Sequence, residues 1–243
     1  MSNVAAIILA AGKGTRFQSG TVNKVTLSLA GKPIISYSIE LLEKLGIDAI
    51  FVVVGFAKES IQETLSGHAV TFVEQREQKG TADALRCALP SIPSSISDVV
   101  VLNGDDLFQK AETIAGCIEK HKTSGAAVTC ATVFLENPQG LGRIVRDTNG
   151  KIQAIVEEKD ASREELAIKE VNGACYLFSS AFLKEYLPKL AKSQVTGEYY
   201  LTDLIKLAIT NSEKVETVAI EGKWKGINTP QDLREAQDLI SNN

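Results

Sequence analysis

The sequence predicts an α/β domain built on a doubly wound, mixed sheet. Short unbroken apolar runs alternate with amphipathic stretches through the first half. The first of those runs ends in a glycine-rich loop, and after Pro138 the pattern changes to paired alternating segments. With 243 residues, 44% of them hydrophobic and 23% charged, the chain is long enough to bury a sizeable core.

In order, residues 4–9 (VAAIIL) are the unbroken apolar run of a strand covered on both faces. Residues 34–45 repeat apolar side chains at helical spacing, start after Pro33 and stop at Gly46, which predicts a helix. Residues 50–54 are the next buried strand, followed by a short helix around Ile61 and Leu65 and a strand at 70–73. Residues 81–88 read as helix, 99–102 as strand, 111–121 as helix and 126–134 as strand. Residues 143–146 and 151–157 then alternate on either side of Asp147-Thr148-Asn149-Gly150, as a β-hairpin does. Residues 171–178 and 215–220 predict strands, 181–187 and 200–208 helices. In the closing T-P-Q-D-L-R-E-A-Q, Thr229 takes the N-cap, Pro230 the first helical position, and Asp232 faces the free N–H groups. One domain over 1–243 is expected, with halves at about 1–135 and 136–228 and a last helix from about 229 to 243.

Net charge is −4, from 26 basic and 30 acidic residues, so no electrostatic footprint marks a nucleic-acid or membrane partner. Any phosphate must be held by local geometry. Cys87, Cys117, Cys130 and Cys175 lack C-x-x-C spacing and read as small core residues in a reducing compartment. The opening segment has neither a basic leader nor a span-length apolar run, so a cytoplasmic protein is expected. His68 and His121 stand in polar stretches and read as surface residues, which leaves histidine acid–base and zinc chemistry without carriers.

The first strand runs into L-A-A-G-K-G-T-R-F, residues 9–17. Gly12 and Gly14 let backbone N–H groups turn toward an anion, and Lys13 and Arg16 add positive charge. Arg16 can hold two phosphate oxygens at once. The string lacks the third glycine of a dinucleotide fingerprint and the G-K-[ST] of a P-loop. A structural turn accounts for the glycines equally well. Farther on, strand 99–102 ends in N-G-D-D-L-F. A carboxylate just past a strand's C-terminal end faces the crevice where open α/β sheets bind ligands. Asp105 is therefore a hard oxygen ligand suited to magnesium, with an Asp/Gly turn as the plain alternative.

L-A-A-G-K-G-T-R-F resembles the opening of the sugar-nucleotide pyrophosphorylases, a nucleotidyltransferase family. The motifs after it resemble the N-acetylglucosamine-1-phosphate uridylyltransferase branch, from Ala5 to about Leu233. The resemblance implies the Rossmann-like nucleotide-diphospho-sugar transferase fold: a nucleotide-binding first half and a β-rich, sugar-binding second half. It assigns Leu9, Ala10, Ala11, Gly12, Gly14 and Thr15 to a loop around the triphosphate, and Arg16 and Lys24 to its phosphates. In E-Q-R-E-Q-K-G-T-A-D-A-L, residues 74–85, it implies a uridine pocket. The Gln75 amide offers uracil a donor and an acceptor side by side, Gly80 opens the next helix, and Thr81 caps it. Asn103 precedes the G-D pair and joins the nucleotide contacts. Asp105 gains a partner metal ligand in Asn228, within W-K-G-I-N-T-P, with Mg2+ as cofactor. The catalytic set implied is Arg16, Lys24 and Asp105; the sugar set is Gly142, Glu157, Asn172, Tyr199 and Thr202.

The chain departs from the family pattern in several places. Asn23 replaces the usual proline before the lysine, which predicts a less rigid loop. Asn103 and Leu141 stand where tyrosines are usual, and Asn172-Gly173-Ala174 replaces N-T-G. Asp106-Leu107 replaces V-P, and Asp106 reads as a helix cap or a carboxylate behind the metal ligand. The substrates implied are UTP and a sugar 1-phosphate, N-acetylglucosamine 1-phosphate foremost. Another sugar or alcohol phosphate, CTP or dTTP, and a non-catalytic nucleotide-sugar sensor are the alternatives. Bifunctional members continue into a hexapeptide-repeat acetyltransferase, and no acetyl transfer is expected of this chain.

The implied reaction needs no general base, because a phosphomonoester loses its second proton near pH ~6. Its obstacle is repulsion between phosphates, about 4 kcal/mol per unit-charge pair at ~4 Å and an effective dielectric of ~20. The reading therefore requires Lys24, Arg16, Asp105 and Asn228 to meet in one crevice.

Overall fold

The apolar runs become strands, and the computed structural model describes residues 3–15, 17, 21–108, 110–221 and 224–241. In chain order the strands of the first half are β1 (Val4–Leu9), β2 (Ser28–Leu29), β3 (Lys32–Pro33), β4 (Ala49–Val54), β5 (Val70–Glu74), β6 (Asp98–Asn103), β7 (Asp106–Phe108) and β8 (Val128–Phe134). Those of the second half are β9 (Arg143–Arg146), β10 (Ile152–Val156), β11 (Glu170–Ser179), β12 (Val215–Ala219) and β13 (Trp224–Gly226). The helices are α1 (Ile34–Lys44), α2 (Lys58–Thr64), α3 (Thr81–Ala88), α4 (Ala111–Ser124), α5 (Arg163–Leu166), α6 (Ser180–Tyr186), α7 (Asp203–Thr210) and α8 (Pro230–Ser241).

The main sheet runs β5-β4-β1-β6-β11, with β8 and then β12 beyond β11 and the β9–β10 hairpin beside the start of β11. β1 is parallel to both β4 and β6, whereas β11 is antiparallel to β6 and β8 and makes the sheet mixed. Alternation along β1 feeds two cores. Ala5, Ile7 and Leu9 pack with residues of α3, α6 and α7; Ala6 and Ile8 pack with residues of α1, α2 and α4 on the other face. This is the doubly wound arrangement the sequence predicts. A third, small cluster of Leu29, Ile34, Leu107, Ile227 and Ala236 seats α8 beside the crevice end of the sheet.

Two boundaries shift: β8 begins at Val128 and α7 at Asp203, each later than the periodicity suggests. At α8, Thr229 and Asp232 bond reciprocally as expected, the Thr229 N–H to Asp232 Oδ2 at 2.8 Å and the Asp232 N–H to Thr229 Oγ1 at 3.1 Å. The histidines part company. His68 is half-buried beside Glu43, at 3.0 Å. His121 is a core residue, contrary to the expectation, because it continues the buried stripe Ala111, Ile114, Cys117, Ile118 of α4. Its Nδ1 is 2.9 Å from Thr129 Oγ1, and its Nε2 is 3.4 Å from Asp98. Cys117, Cys130 and Cys175 are buried, Cys87 is half-buried, and all four are free. Among the described residues, no helix is long and apolar enough to cross a membrane.

Candidate active site

A two-strand ribbon brings together residues far apart in sequence. β7 and β13 pair antiparallel, Gly226 opposite Asp106, and the Ile227 N–H donates to Asp105 O at 2.9 Å. Asp105, just before β7, and Asn228, just past β13, thus sit at the same end of the ribbon. The Asn228 N–H donates to Asp232 Oδ2 at 3.1 Å, so the cap of α8 also fixes that ligand loop. Into the gap reaches Lys24. Its ammonium is paired with Asp105 Oδ2 and donates to Ile227 O at 3.0 Å and to Asn228 Oδ1 at 3.4 Å. One cation already bridges the carboxylate and the amide oxygen expected as metal ligands. These are the hard oxygen donors that magnesium takes, the ion leaving its other positions to water and phosphate, so the residues fit it.

Beside this point lies the glycine loop. Among the described residues, the backbone N–H groups of Ala11, Gly12, Lys13, Gly14 and Thr15 donate to no protein acceptor. The loop's carbonyls do have partners: Ala11 O accepts from the Phe56 N–H at 3.1 Å, and Gly14 O from Phe17 at 2.8 Å. Asn23 holds two more. Its side chain is 1% exposed and donates to Ala10 O (3.1 Å), Gly12 O (3.2 Å) and Phe56 O (2.9 Å), while its Oδ1 accepts from the Val25 N–H (3.2 Å). The amide thus ties the carbonyls of a loop in which a proline ring would otherwise fix the backbone. Arg16 lies outside the described residues.

The stretch expected to form a uridine pocket is arranged differently from the expectation. Gln75 is 3% exposed and spends its amide hydrogens within the protein, on Gly80 O (3.1 Å) and Asp83 Oδ2 (2.8 Å). Two acceptors fix the amide's orientation, and Oε1 alone is left to meet a base. Thr81 does not cap α3. It is the first helical residue, and its Oγ1 accepts from the Leu201 N–H at 2.9 Å. The N-cap is Gly80, at φ +112°, and the Ala82 N–H is satisfied from outside by Tyr199 O at 3.0 Å. A Cβ on Gly80 would lie 2.8 Å from Tyr199 N and closer still to Tyr199 O, so only glycine permits this approach.

That contact sews the second half of the chain to the first. The Tyr199 ring faces away from the crevice chemistry, under Arg86 (4.7 Å) and near Lys192 (5.5 Å), and Tyr200 stands on the cavity wall instead. Glu157 lines the cavity and accepts from Thr202 Oγ1 at 2.9 Å, with Thr202 itself buried behind it. Burial pushes the Glu157 carboxyl above its ordinary pKa, and the Thr202 bond only partly offsets this. A Cβ on Gly142 would stand 3.7 Å from both Glu157 Oε1 and Asn172 Cβ, so these expected sugar residues are neighbours. The Asn172 amide is engaged locally, donating to Tyr176 Oη and accepting from Ala174 N at 3.0 Å.

Asp106 is neither exposed nor a helix cap. It is a buried residue of β7 that accepts from Asn103 Nδ2 at 2.9 Å. Burial, and then the adjacent Asp105 charge, raise its pKa well above the carboxylate range against the pull of Asn103 and Lys24. Asn103 is thereby committed to Asp106 while still lining the cavity.

A single cavity of about 750 Å³ contains the loop residues Leu9, Ala10, Ala11, Gly12, Gly14 and Thr15 on one side. Gln75, Gly80, Thr81, Lys24, Asp105, Asn228 and Glu157 line the same cavity. Gly142, Asn172, Tyr199 and Thr202 lie behind its lining rather than in it. Asn23 and Tyr200 also line it, and sequence reasoning did not place them there. An asparagine directly before the expected phosphate lysine was a usable signal, since Asn side chains bond nearby backbone.

The sequence profile described as "Nucleotidyl transferase" matches residues 5–243. The "Bifunctional protein GlmU" of Carboxydothermus hydrogenoformans is 45% identical over 224 residues, 91% of this chain and 49% of that protein. The protein of the same name from Pelobacter propionicus is 37% identical over 243 residues, 99% of this chain and 53% of that one. The chain spans about half the length of the curated relatives it matches. A Bacillus anthracis crystal structure described as a "Putative Glucose-1-Phosphate Thymidylyltransferase", in complex with a sucrose, aligns with a TM-score of 0.82 at 22% identity, over 99% of this chain and 96% of that one. That likeness speaks for the fold. With a profile match over almost its whole length and a crevice built as described, the chain belongs to the nucleotidyl transferase family.

Proposed function

We propose that the protein transfers a uridylyl group from UTP to a sugar 1-phosphate, N-acetylglucosamine 1-phosphate foremost, releasing pyrophosphate, with magnesium as cofactor. The observation that carries this reading is the meeting of Lys24, Asp105 and Asn228 beside backbone N–H groups that have no acceptor among the described residues. The GlmU relatives support the choice of acceptor.

In this reading the N–H groups of 11–15 bind phosphate oxygens of the triphosphate, and the Lys24 ammonium offsets charge at the transferring phosphorus. Asp105 and Asn228 would hold the magnesium ion, which supplies Lewis-acid charge neutralisation when bound. Gln75 Oε1 accepts the base N3–H, and Glu157 accepts from sugar hydroxyls, fixing the two reactants in line. The attacking oxygen belongs to a phosphate that is already ionised, and no residue is needed to deprotonate it.

The second reading is dTTP as donor, because one acceptor at Gln75 suits thymine N3–H as well as uracil's. Pyrophosphate release from UTP, dTTP and CTP, each paired with several sugar 1-phosphates, tests both. The highest kcat/KM is expected for UTP with N-acetylglucosamine 1-phosphate. Binding of nucleotide sugar without release from any pair would make the protein a sensor and end the proposal.

A further inference from the structure

Among the described residues, Asn23 makes more side-chain hydrogen bonds to backbone than any expected site residue, yet neither the expected metal ligands nor the expected base pocket need it for their own geometry. In a trans peptide the C=O of one residue and the N–H of the next point in opposite directions. Asn23 Nδ2 draws Ala10 O and Gly12 O toward itself, which turns the N–H groups of Ala11 and Lys13 to the opposite side. The Phe56 N–H does the same to Ala11 O and thereby to the N–H of Gly12, and Asn23 also holds Phe56 O. At its other end the same side chain caps the 3₁₀ turn Lys24–Thr26, through the Val25 N–H, and so sets the base of Lys24. The backbone N–H of Asn23 is fixed in turn by Ser60 Oγ at 3.1 Å.

We infer that Asn23 is a positioning residue for the triphosphate: one buried amide aims the anion-binding N–H groups and registers them against the Lys24 ammonium. This rests on the proposed transferase reading for its substrate, but its geometry concerns only an anionic polyphosphate and the loop. A side chain that merely filled space or supported the fold would not need two carbonyls of the same loop as acceptors. Preorganised donors bind an anion without first reorienting peptides against water, so losing the clamp weakens polyphosphate binding and leaves sugar binding alone.

The test uses Asn23→Asp, which keeps the volume and removes the amide hydrogens, and Asn23→Ala. Inorganic triphosphate, which has no base or sugar, is titrated into the wild-type and variant chains by calorimetry. The KM values for UTP and for the sugar 1-phosphate are measured alongside. Loss of two hydrogen bonds of ordinary net strength corresponds to about a 10-fold or greater weakening of inorganic triphosphate. A matching rise is expected in the UTP KM, with the sugar-phosphate KM within about twofold. Equal rises in both KM values, or unchanged triphosphate binding by a folded variant, overturn the inference. If neither variant folds, Ser60→Ala, which frees the Asn23 backbone N–H and drops the hydroxyl bond to Ala57 O, is expected to weaken triphosphate selectively, and unchanged binding there overturns it too. A wild-type chain that binds inorganic triphosphate but releases no pyrophosphate from any nucleotide counts against the transferase reading and leaves this one standing.

Discussion

Replacing Asp105 with Asn tests the electrostatic centre of the site, because it removes one charge and almost no volume. Lys24 and Asp105 have side chains only 12% and 19% exposed, so the pair works between bulk water and the interior. At an effective dielectric of ~20 and a separation of ~4 Å, one unit charge is worth about 4 kcal/mol. That corresponds to about 10³-fold in rate when the stabilisation is felt in the transition state. The kcat for pyrophosphate release is therefore expected to fall by about 10³-fold or more at saturating substrates. Folding should survive. Lys24 keeps Ile227 O at 3.0 Å and Asn228 Oδ1 at 3.4 Å, and the new amide still offers an oxygen. A partly exposed ion pair is worth up to about 1 kcal/mol, or ~2–4 °C in Tm for a chain of this size. The assay is continuous pyrophosphate detection over a magnesium titration, with thermal melting on the same samples. Turnover within tenfold of wild type, at the same magnesium dependence, would refute the reasoning; so would a rate loss explained by unfolding.

Lys24→Ala is expected to lower kcat by about 10²-fold, as removing one charge-stabilising donor does, and an effect confined to the UTP KM would mean that Lys24 only binds. Glu157→Ala is expected to raise the sugar-phosphate KM and spare that for UTP; the reverse pattern in steady-state kinetics would show that the division of the cavity is wrong. Gly80→Ala puts a methyl against the Tyr199 backbone at φ +112°, and a loss of about 3 kcal/mol in denaturant unfolding is expected. Arg146→Ala strands Glu170, which is 7% exposed and receives Arg146 at 2.7 and 2.5 Å, at a cost of about 3 kcal/mol near neutral pH. Burial raises the Glu170 carboxyl, but Arg146 and Thr132 outweigh it and hold the pKa below its ordinary value. The stability this adds is present above the unfolded carboxylate pKa and is lost as pH falls through the lower folded one. The variant's deficit should accordingly shrink on acidification below pH ~4, and a deficit constant with pH in melting experiments would argue against that ion pair.

The sheet was legible because its central strands carry uninterrupted Ile, Val, Leu and Ala, a pattern that few other burials produce. The glycine loop and the G-D pair were legible for a related reason: both sit where a buried strand ends, and strand ends are easy to find. What periodicity could not show is structure of two or three residues. β7 and β13 are too short to alternate, so the ribbon joining Asp105 to Asn228 was invisible even though both ligands were expected. Side-chain partners were the other detail that the sequence could not show. Thr81 lost its cap role to Gly80 and the Tyr199 carbonyl, and the Gln75 amide hydrogens went to Gly80 and Asp83 rather than toward the crevice. His121 looked polar by its neighbours in sequence but is interior by its helix phase.

The ribbon also dictates when the centre can come into being. β1, β4, β5, β6 and the loop behind them are complete by residue 103, so a growing chain can assemble the anion cradle early in its synthesis. The meeting of Asp105 with Asn228 waits for residues 224–228, because the Ile227 N–H that holds the Asp105 carbonyl comes only then. A chain ending before Trp224 would lack both the strand that pairs with β7 and the loop that carries Asn228.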